Sequence, residues 1–154
     1  MATSNPSDST FYGSCLCKSV KVTLSGLPAK TVTCNCSGCQ TSSGGANQVC
    51  ALYPKDKVKI DDSQNFMKKY TFPPGSTSSG KEKYKWFCSN CGTNIYNYLL
   101  AHEDLYVVRA SILDAPEGHT GSPMNLFPPT VEFFTANRPS FAYPMKGAEQ
   151  LLTE

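Results

Sequence analysis

The clearest alternation of apolar and polar positions lies at residues 19–25, Ser-Val-Lys-Val-Thr-Leu-Ser. A period of two belongs to a strand with one buried face. Gly26-Leu27-Pro28 closes it, since glycine and proline punctuate strands. Further runs rich in β-branched and aromatic residues predict strands at 48–53, 57–60, 66–72, 82–87, 94–100, 105–111 and 130–135. No stretch carries a three-turn amphipathic stripe, and residues 146–152 predict a single short helix. Residues 73–80 and 115–129, with Gly and Pro at several points, read as loops. The pattern predicts an all-β chain of meandering antiparallel sheets, with no internal repeat. Residues 1–10, rich in Ser, Thr and Asn, predict a disordered tail ahead of a single domain at 11–150.

Composition sharpens this picture without changing it. A chain of 154 residues makes one domain with one real core. Eight Phe, eight Tyr, Trp86, 11 Gly and 11 Pro suit short strands and turns better than helices. No apolar run approaches the ~18–20 residues of a membrane-spanning helix, so no membrane partner is expected. The first ten residues hold no apolar h-region, and a cytoplasmic location is expected.

The cysteines change the picture most. Seven of the eight fall into three groups: Cys15-Leu16-Cys17, Cys34-Asn35-Cys36-Ser37-Gly38-Cys39 and Cys88-Ser89-Asn90-Cys91. Short turns at such spacing bring two or three thiolates onto one tetrahedral metal, and zinc is the metal they suit. A disulfide framework is the rival, disfavoured by a reducing compartment and by Cys-x-Cys pairs whose side chains share a strand face. Two pairs and a triplet divide into a closed site of Cys15, Cys17, Cys88 and Cys91 and an open one of Cys34, Cys36 and Cys39. Four thiolates fill the zinc tetrahedron and leave a structural staple; three leave a position for substrate. Gly13 and Gly92 fit the tight turns of such hooks. Two Zn²⁺ ions bound to seven thiolates would move the formal charge of +2 by about −3 to roughly −1, so the apparent basicity implies no nucleic-acid partner.

Three thiolates on Zn²⁺ leave a net charge of about −1, which weakens the metal as a Lewis acid and favours a fourth sulfur from a thiol substrate. A thiol taken up there would be held deprotonated as an oriented nucleophile. A second structural zinc, completed by another protein ligand, is the alternative for this triplet. The small polar segment behind it reads as a loop whose backbone N–H groups approach a ligand, with Ser42, Ser43, Gly44 and Gly45 as candidate substrate-binding residues, or as an ordinary surface turn. Cys50, within apolar Val49-Cys50-Ala51-Leu52, reads as a buried inert thiol, with a fourth zinc ligand as the alternative. His102 and His119 read as surface residues rather than acid–base groups. Lys55, Lys57 and Lys59, and Lys81, Lys83 and Lys85, each place three cations on one strand face, solvated or binding a ligand's carboxylates. Tyr84, Trp86, Tyr96 and Tyr98 read as core or sheet-face aromatics, with an aromatic wall for a ring-shaped substrate as the alternative.

The motifs Gly-x-Cys-x-Cys at 13–17, Cys-x-Cys-x-x-Cys at 34–39 and Phe-Cys-x-x-Cys-Gly at 87–92 resemble those of the glutathione-dependent formaldehyde-activating enzyme family, which also includes centromere protein V-like proteins. Val107-Val108-Arg109-Ala110-Ser111-Ile112-Leu113-Asp114 is similar to that family's strand ending in Leu-Asp, and Arg138-Pro139-Ser140-Phe141 to its Arg-Pro-x-aromatic segment. The resemblance implies an Mss4-like β fold stapled by zinc. It implies a structural zinc at Cys15, Cys17, Cys88 and Cys91, a catalytic zinc at Cys34, Cys36 and Cys39, and carbon–sulfur lyase chemistry on a glutathione adduct. Two other functions remain open at this stage: a glutathione-independent zinc enzyme acting on a small-metabolite carbonyl, and a non-catalytic zinc module that binds a protein. The sequence names no electrophile, no acid–base residue and no oligomeric state.

Overall fold

The computed structural model describes residues 9–154, along which the chain runs β1 (Thr10–Ser14), β2 (Lys21–Ser25), β3 (Lys30–Cys34), α1 (Ser37–Ser43), β4 (Gln48–Pro54), β5 (Val58–Asp61), β6 (Met67–Phe72), β7 (Lys83–Cys88), β8 (Asn94–Leu99), β9 (Leu105–Arg109), β10 (Val131–Phe133) and β11 (Glu149–Gln150). All but the last two residues of the expected tail lie outside the described residues, and Thr10 already opens β1, paired with Ser25. Its regular structure is mostly strand, with one α-helix among the described residues, as the alternation predicts. Strands β1-β2-β5 form a small sheet, and β11-β10-β3-β4-β9-β8-β7-β6 a large one. Pairing is antiparallel except at one edge, where β10 lies parallel to both β3 and β11. No helix among the described residues is long and apolar enough to cross a membrane.

The period of two assigns each face of the large sheet its task. On one face Ala51, Tyr53, Tyr96 and Val108 meet Val22 and Leu24 of the small sheet, forming the main core with Val20, Ile95 and Phe127. Trp86 stacks on Tyr96 with ring centroids 6.1 Å apart, and Tyr98 meets Tyr106 edge-on. These aromatics are sheet-face residues, as expected. The opposite face carries a second, smaller cluster: Val32, Cys50 and Val131, with Leu52, Val107 and Phe133 against it. A cavity bordered by Cys34, Cys36 and Cys39 lies on this second face.

Gly13 is needed for a close approach rather than for a turn. A Cβ there would stand 2.6 Å from the Ile112 carbonyl oxygen, where the small sheet bridges to Leu113.

Several elements depart from the sequence reading. Strand β3 has no simple alternation, because its core-facing positions are Thr31 and Thr33; it is buried on both faces as a central strand. Residues 146–152 form no helix: a turn leads into β11, where the Glu149 amide bonds Thr130 O and the Leu151 amide bonds Glu132 O. An open sheet edge satisfies those amides better than one uncapped helical turn. Lys55–Lys57 is a 3-10 turn, so Lys55 and Lys57 do not alternate on a strand. The 105–111 strand stops at Arg109, where Ala110–Ile112 tightens into 3-10 geometry. Phe134, at φ 55°, ends β10.

A candidate thiolate-lined metal centre

The turn after β1 and the turn after β7 bring their cysteines together. The sulfurs of Cys15, Cys17, Cys88 and Cys91 all lie within 4.8 Å of one another. Cys15 and Cys17 Sγ stand 3.5 Å apart, and Cys17 and Cys88 Sγ 3.7 Å. Four sulfurs tetrahedral about a zinc at ~2.3 Å would stand about 3.8 Å apart, so the donor set fits such an ion. The surrounding donors suit thiolates. The Val20 amide points at Cys15 Sγ at 3.3 Å, and the Thr93 hydroxyl lies 3.2 Å from Cys91 Sγ. Hydrogen bonds from Ser19 and then Asn90 hold the Cys17 thiol down to about 5. Gly92, at φ 76°, turns the chain so that its amide closes on Cys88 O. The group ties the strand pair β1–β2 to β7.

The second group comes from one local turn. Cys34 ends β3, Cys36 caps α1, and Cys39 lies in the first turn of α1. Their sulfurs also lie within 4.8 Å of one another. The Cys39 amide donates to Cys36 Sγ at 3.4 Å. Hydrogen bonds from the Cys34 and Cys39 thiols hold Cys36 well below the usual thiol range. Cys39 is pushed up, first by its hydrogen bonds to Cys34 and Cys36 and then by burial. All eight cysteines are free of disulfides. Soft, sulfur-only donors in this arrangement suit zinc, and the triplet alone leaves a coordination position for a ligand.

A polar brace that local sequence does not announce holds the triplet. Asn35, between two of the thiols, is fully buried; its Nδ2 donates to Glu132 Oε1 and to Phe133 O, both at 3.0 Å. Glu132, 1% exposed, also accepts from Arg138 Nη1 at 2.9 Å and from the Met145 amide at 2.8 Å. Gln40 Nε2 bridges Asn35 O and Asn137 O at 3.0 and 2.9 Å. The only advance sign of this brace is Arg138, within the Arg-Pro-x-aromatic segment.

The triplet opens into a cavity of about 370 Å³. Val32, Leu52, Val107 and Phe133 give it an apolar wall, with Cys50 and Arg109 in its floor. Lys30, Lys83 and His102 stand around it, with Glu154 as the acid among them. Recesses of about 720 and 660 Å³ lie elsewhere; the first, between β1, β2 and β5, is lined largely by Lys, Asp and Thr with no sulfur. The second touches Cys15 and Arg109, and only the 370 Å³ cavity is lined by all three cysteines of the triplet.

The candidate substrate loop is placed differently. Residues 37–43 form helix α1, which ends at Gly44, whose amide closes on Gln40 O. Helical hydrogen bonding consumes backbone donors expected to be free. Ser42 Oγ faces Cys39 O and Gln48 Oε1, and Ser43 Oγ binds Asn47 O. Ser42 and Ser43 line the 660 Å³ recess, and none of Ser42, Ser43, Gly44 and Gly45 lines the thiolate cavity. His102 is exposed at the cavity, whereas His119 stands apart with its Nε2 3.2 Å from Ser122 O. Cys50, 2% exposed, accepts from Arg109 Nη1 at 2.9 Å. Arg109 was visible only as a cation interrupting an apolar run.

Comparison with known proteins agrees with this geometry. The family profile described as glutathione-dependent formaldehyde-activating enzyme matches residues 10–137. A crystal structure of a Rhodobacter sphaeroides protein, a structural-genomics target, is similar with a TM-score of 0.55 and 21% sequence identity, covering 75% of this chain and 94% of that one. At that identity the likeness is one of fold. No curated protein sequence matches the chain.

Proposed function

The chain belongs to the glutathione-dependent formaldehyde-activating enzyme family, and from that premise we propose that it is a zinc-dependent carbon–sulfur lyase forming or cleaving thiol adducts of a small electrophile. Glutathione is the proposed thiol, and an aldehyde or other small electrophile the proposed partner. The reading also carries the Mss4-like fold assignment and two zinc ions per chain, one at each cysteine group. The observation that supports it is the contrast between the groups: four sulfurs form a closed set, and three line a cavity.

A zinc ion at Cys34, Cys36 and Cys39 would supply one open coordination position that prefers sulfur and favours the deprotonated form of a thiol bound there. The chain's own residues do the rest. Val32, Leu52, Val107 and Phe133 exclude water from the reacting carbon. Lys30 and Lys83 offer cations to the carboxylates of a peptide-like thiol. Asn35, fixed by Glu132, keeps the Cys34–Cys36 turn from relaxing. In the forward direction the thiol sulfur bonds to the carbonyl carbon and the carbonyl oxygen gains a proton; the reverse breaks the same bond.

Cobalt substitution tests the reading, because thiolate coordination adds charge-transfer absorption. Titrating glutathione into the cobalt protein should change that spectrum, while S-methylglutathione, its sulfur blocked, should change it much less. Identical responses, or none, would refute thiol chemistry at the open site.

A further inference from the structure

Two charged side chains are sealed inside the described residues, Glu132 and Arg109. Glu132 has Arg138 beside it; Arg109 has no carboxylate partner among the described residues. Arg109 is 1% exposed. Its Nη1 donates to Cys50 Sγ at 2.9 Å and its Nη2 to Asn97 Oδ1 at 2.8 Å, while Nε has no partner. A guanidinium carries five N–H donors in a planar fork, so donors remain unspent. A buried cation satisfied only by neutral acceptors is costly to maintain.

Its place in the sheet shows what that charge faces. Arg109 pairs with Cys50 across β9 and β4, on the face that carries the thiolate cavity, and it lines that cavity with Cys34, Cys36 and Cys39. Positive charge accumulates around it. Lys85 pairs with Asn97 on the same face. Burial first, then Arg109 and Lys83, hold the Lys85 ammonium below its usual pKa. Lys30 and the half-buried Lys83 stand further out and suit the distal groups of a long thiol. Arg109 is buried where those lysines are not, and it borders both the thiolate cavity and the 660 Å³ recess.

We propose that Arg109 receives the carboxylate of the electrophile, so that the second reactant here is a small α-oxo acid, its carboxylate next to its carbonyl. This rests on the thiol reading above and specifies its partner. The thiol sulfur forms the C–S bond to the α-carbonyl carbon. The carbonyl π pair moves to oxygen, which takes the proton the thiol gives up. The carboxylate is unchanged and no electrons leave or enter. End-on, through Nη1 and Nη2, the guanidinium fork matches two carboxylate oxygens, a geometry a neutral aldehyde does not use.

Calorimetric titration with pyruvate and, separately, methyl pyruvate keeps the carbonyl and removes the charge. The wild-type protein should bind pyruvate at least about tenfold more tightly than the ester, as expected for a charge-assisted hydrogen bond. Arg109→Gln should erase most of that preference. Equal binding of acid and ester by the wild type overturns the proposal whether or not Arg109→Gln folds. So does a preference that survives in Arg109→Gln or disappears in Lys83→Gln instead, since Arg109 would then serve only to offset the thiolates. The cobalt spectrum keeps the two readings apart. A glutathione response without a pyruvate preference overturns this inference alone. A pyruvate preference without a glutathione response supports the carboxylate site and overturns the thiol.

Discussion

Replacing Glu132 with glutamine keeps the shape of the side chain and removes its charge. Burial alone would raise the Glu132 pKa, but hydrogen bonds from the Met145 amide, Asn35, Arg138 and Gln150 outweigh it and hold the carboxyl at about 2, below its ordinary 4.5. At ~1.4 kcal/mol per pKa unit, that gap makes the ionised carboxylate worth about 3 kcal/mol to the fold at neutral pH. A depressed acid contributes in full above its unfolded pKa and loses its contribution as pH falls toward the folded value. Glutamine has no such dependence. The stability difference between wild type and Glu132→Gln should therefore be about 3 kcal/mol near pH 7, about 2 near pH 3.5, and smaller below. Urea unfolding followed by far-UV circular dichroism, at matched metal content, measures it. A difference under about 1 kcal/mol at neutral pH, or one that grows on acidification, would refute this account of the brace.

Cys15→Ala or Cys88→Ala should leave mostly unfolded protein with little bound zinc, because losing one ligand from a closed site undoes metal-coupled folding. Cys36→Ala should keep native far-UV dichroism, retain about one zinc by elemental analysis, and lose activity. Gly13→Ala should lower stability by about 1–3 kcal/mol in thermal unfolding, since a Cβ there meets backbone rather than a yielding side chain; an unchanged midpoint would contradict the close approach.

The cysteine groups were legible because Cys-x-Cys and Cys-x-x-Cys spacing specifies local turns, and local turns survive folding unchanged. The main sheet was legible where one strand face is apolar and the other polar, as in β2. Strand β3 was not, because Thr31 and Thr33 face the core while Val32 and Cys34 face the cavity, so polarity misreports its two sides. Helix α1 was missed because its turns contain no apolar stripe; Cys36 caps it and only Cys39 is buried. Residues 42–45 have the composition of a loop, but Ser42 and Ser43 form the last turn of α1 and Gly44 caps it, a placement set by helical hydrogen bonding that composition does not encode.

What the sequence determined by itself was therefore chemical and local: sulfur donors in groups of four and three, short strands, and the family. Tertiary structure decided which groups meet. Asn35 and Glu132 are 97 residues apart, and Arg109 and Cys50 are 59 apart. Those meetings depend on strand register, and register is chosen by the whole sheet's hydrogen bonds and burial together. A slip of one residue would turn Arg109 and Cys50 away from the cavity and into the core, so no local pattern encodes the site they make.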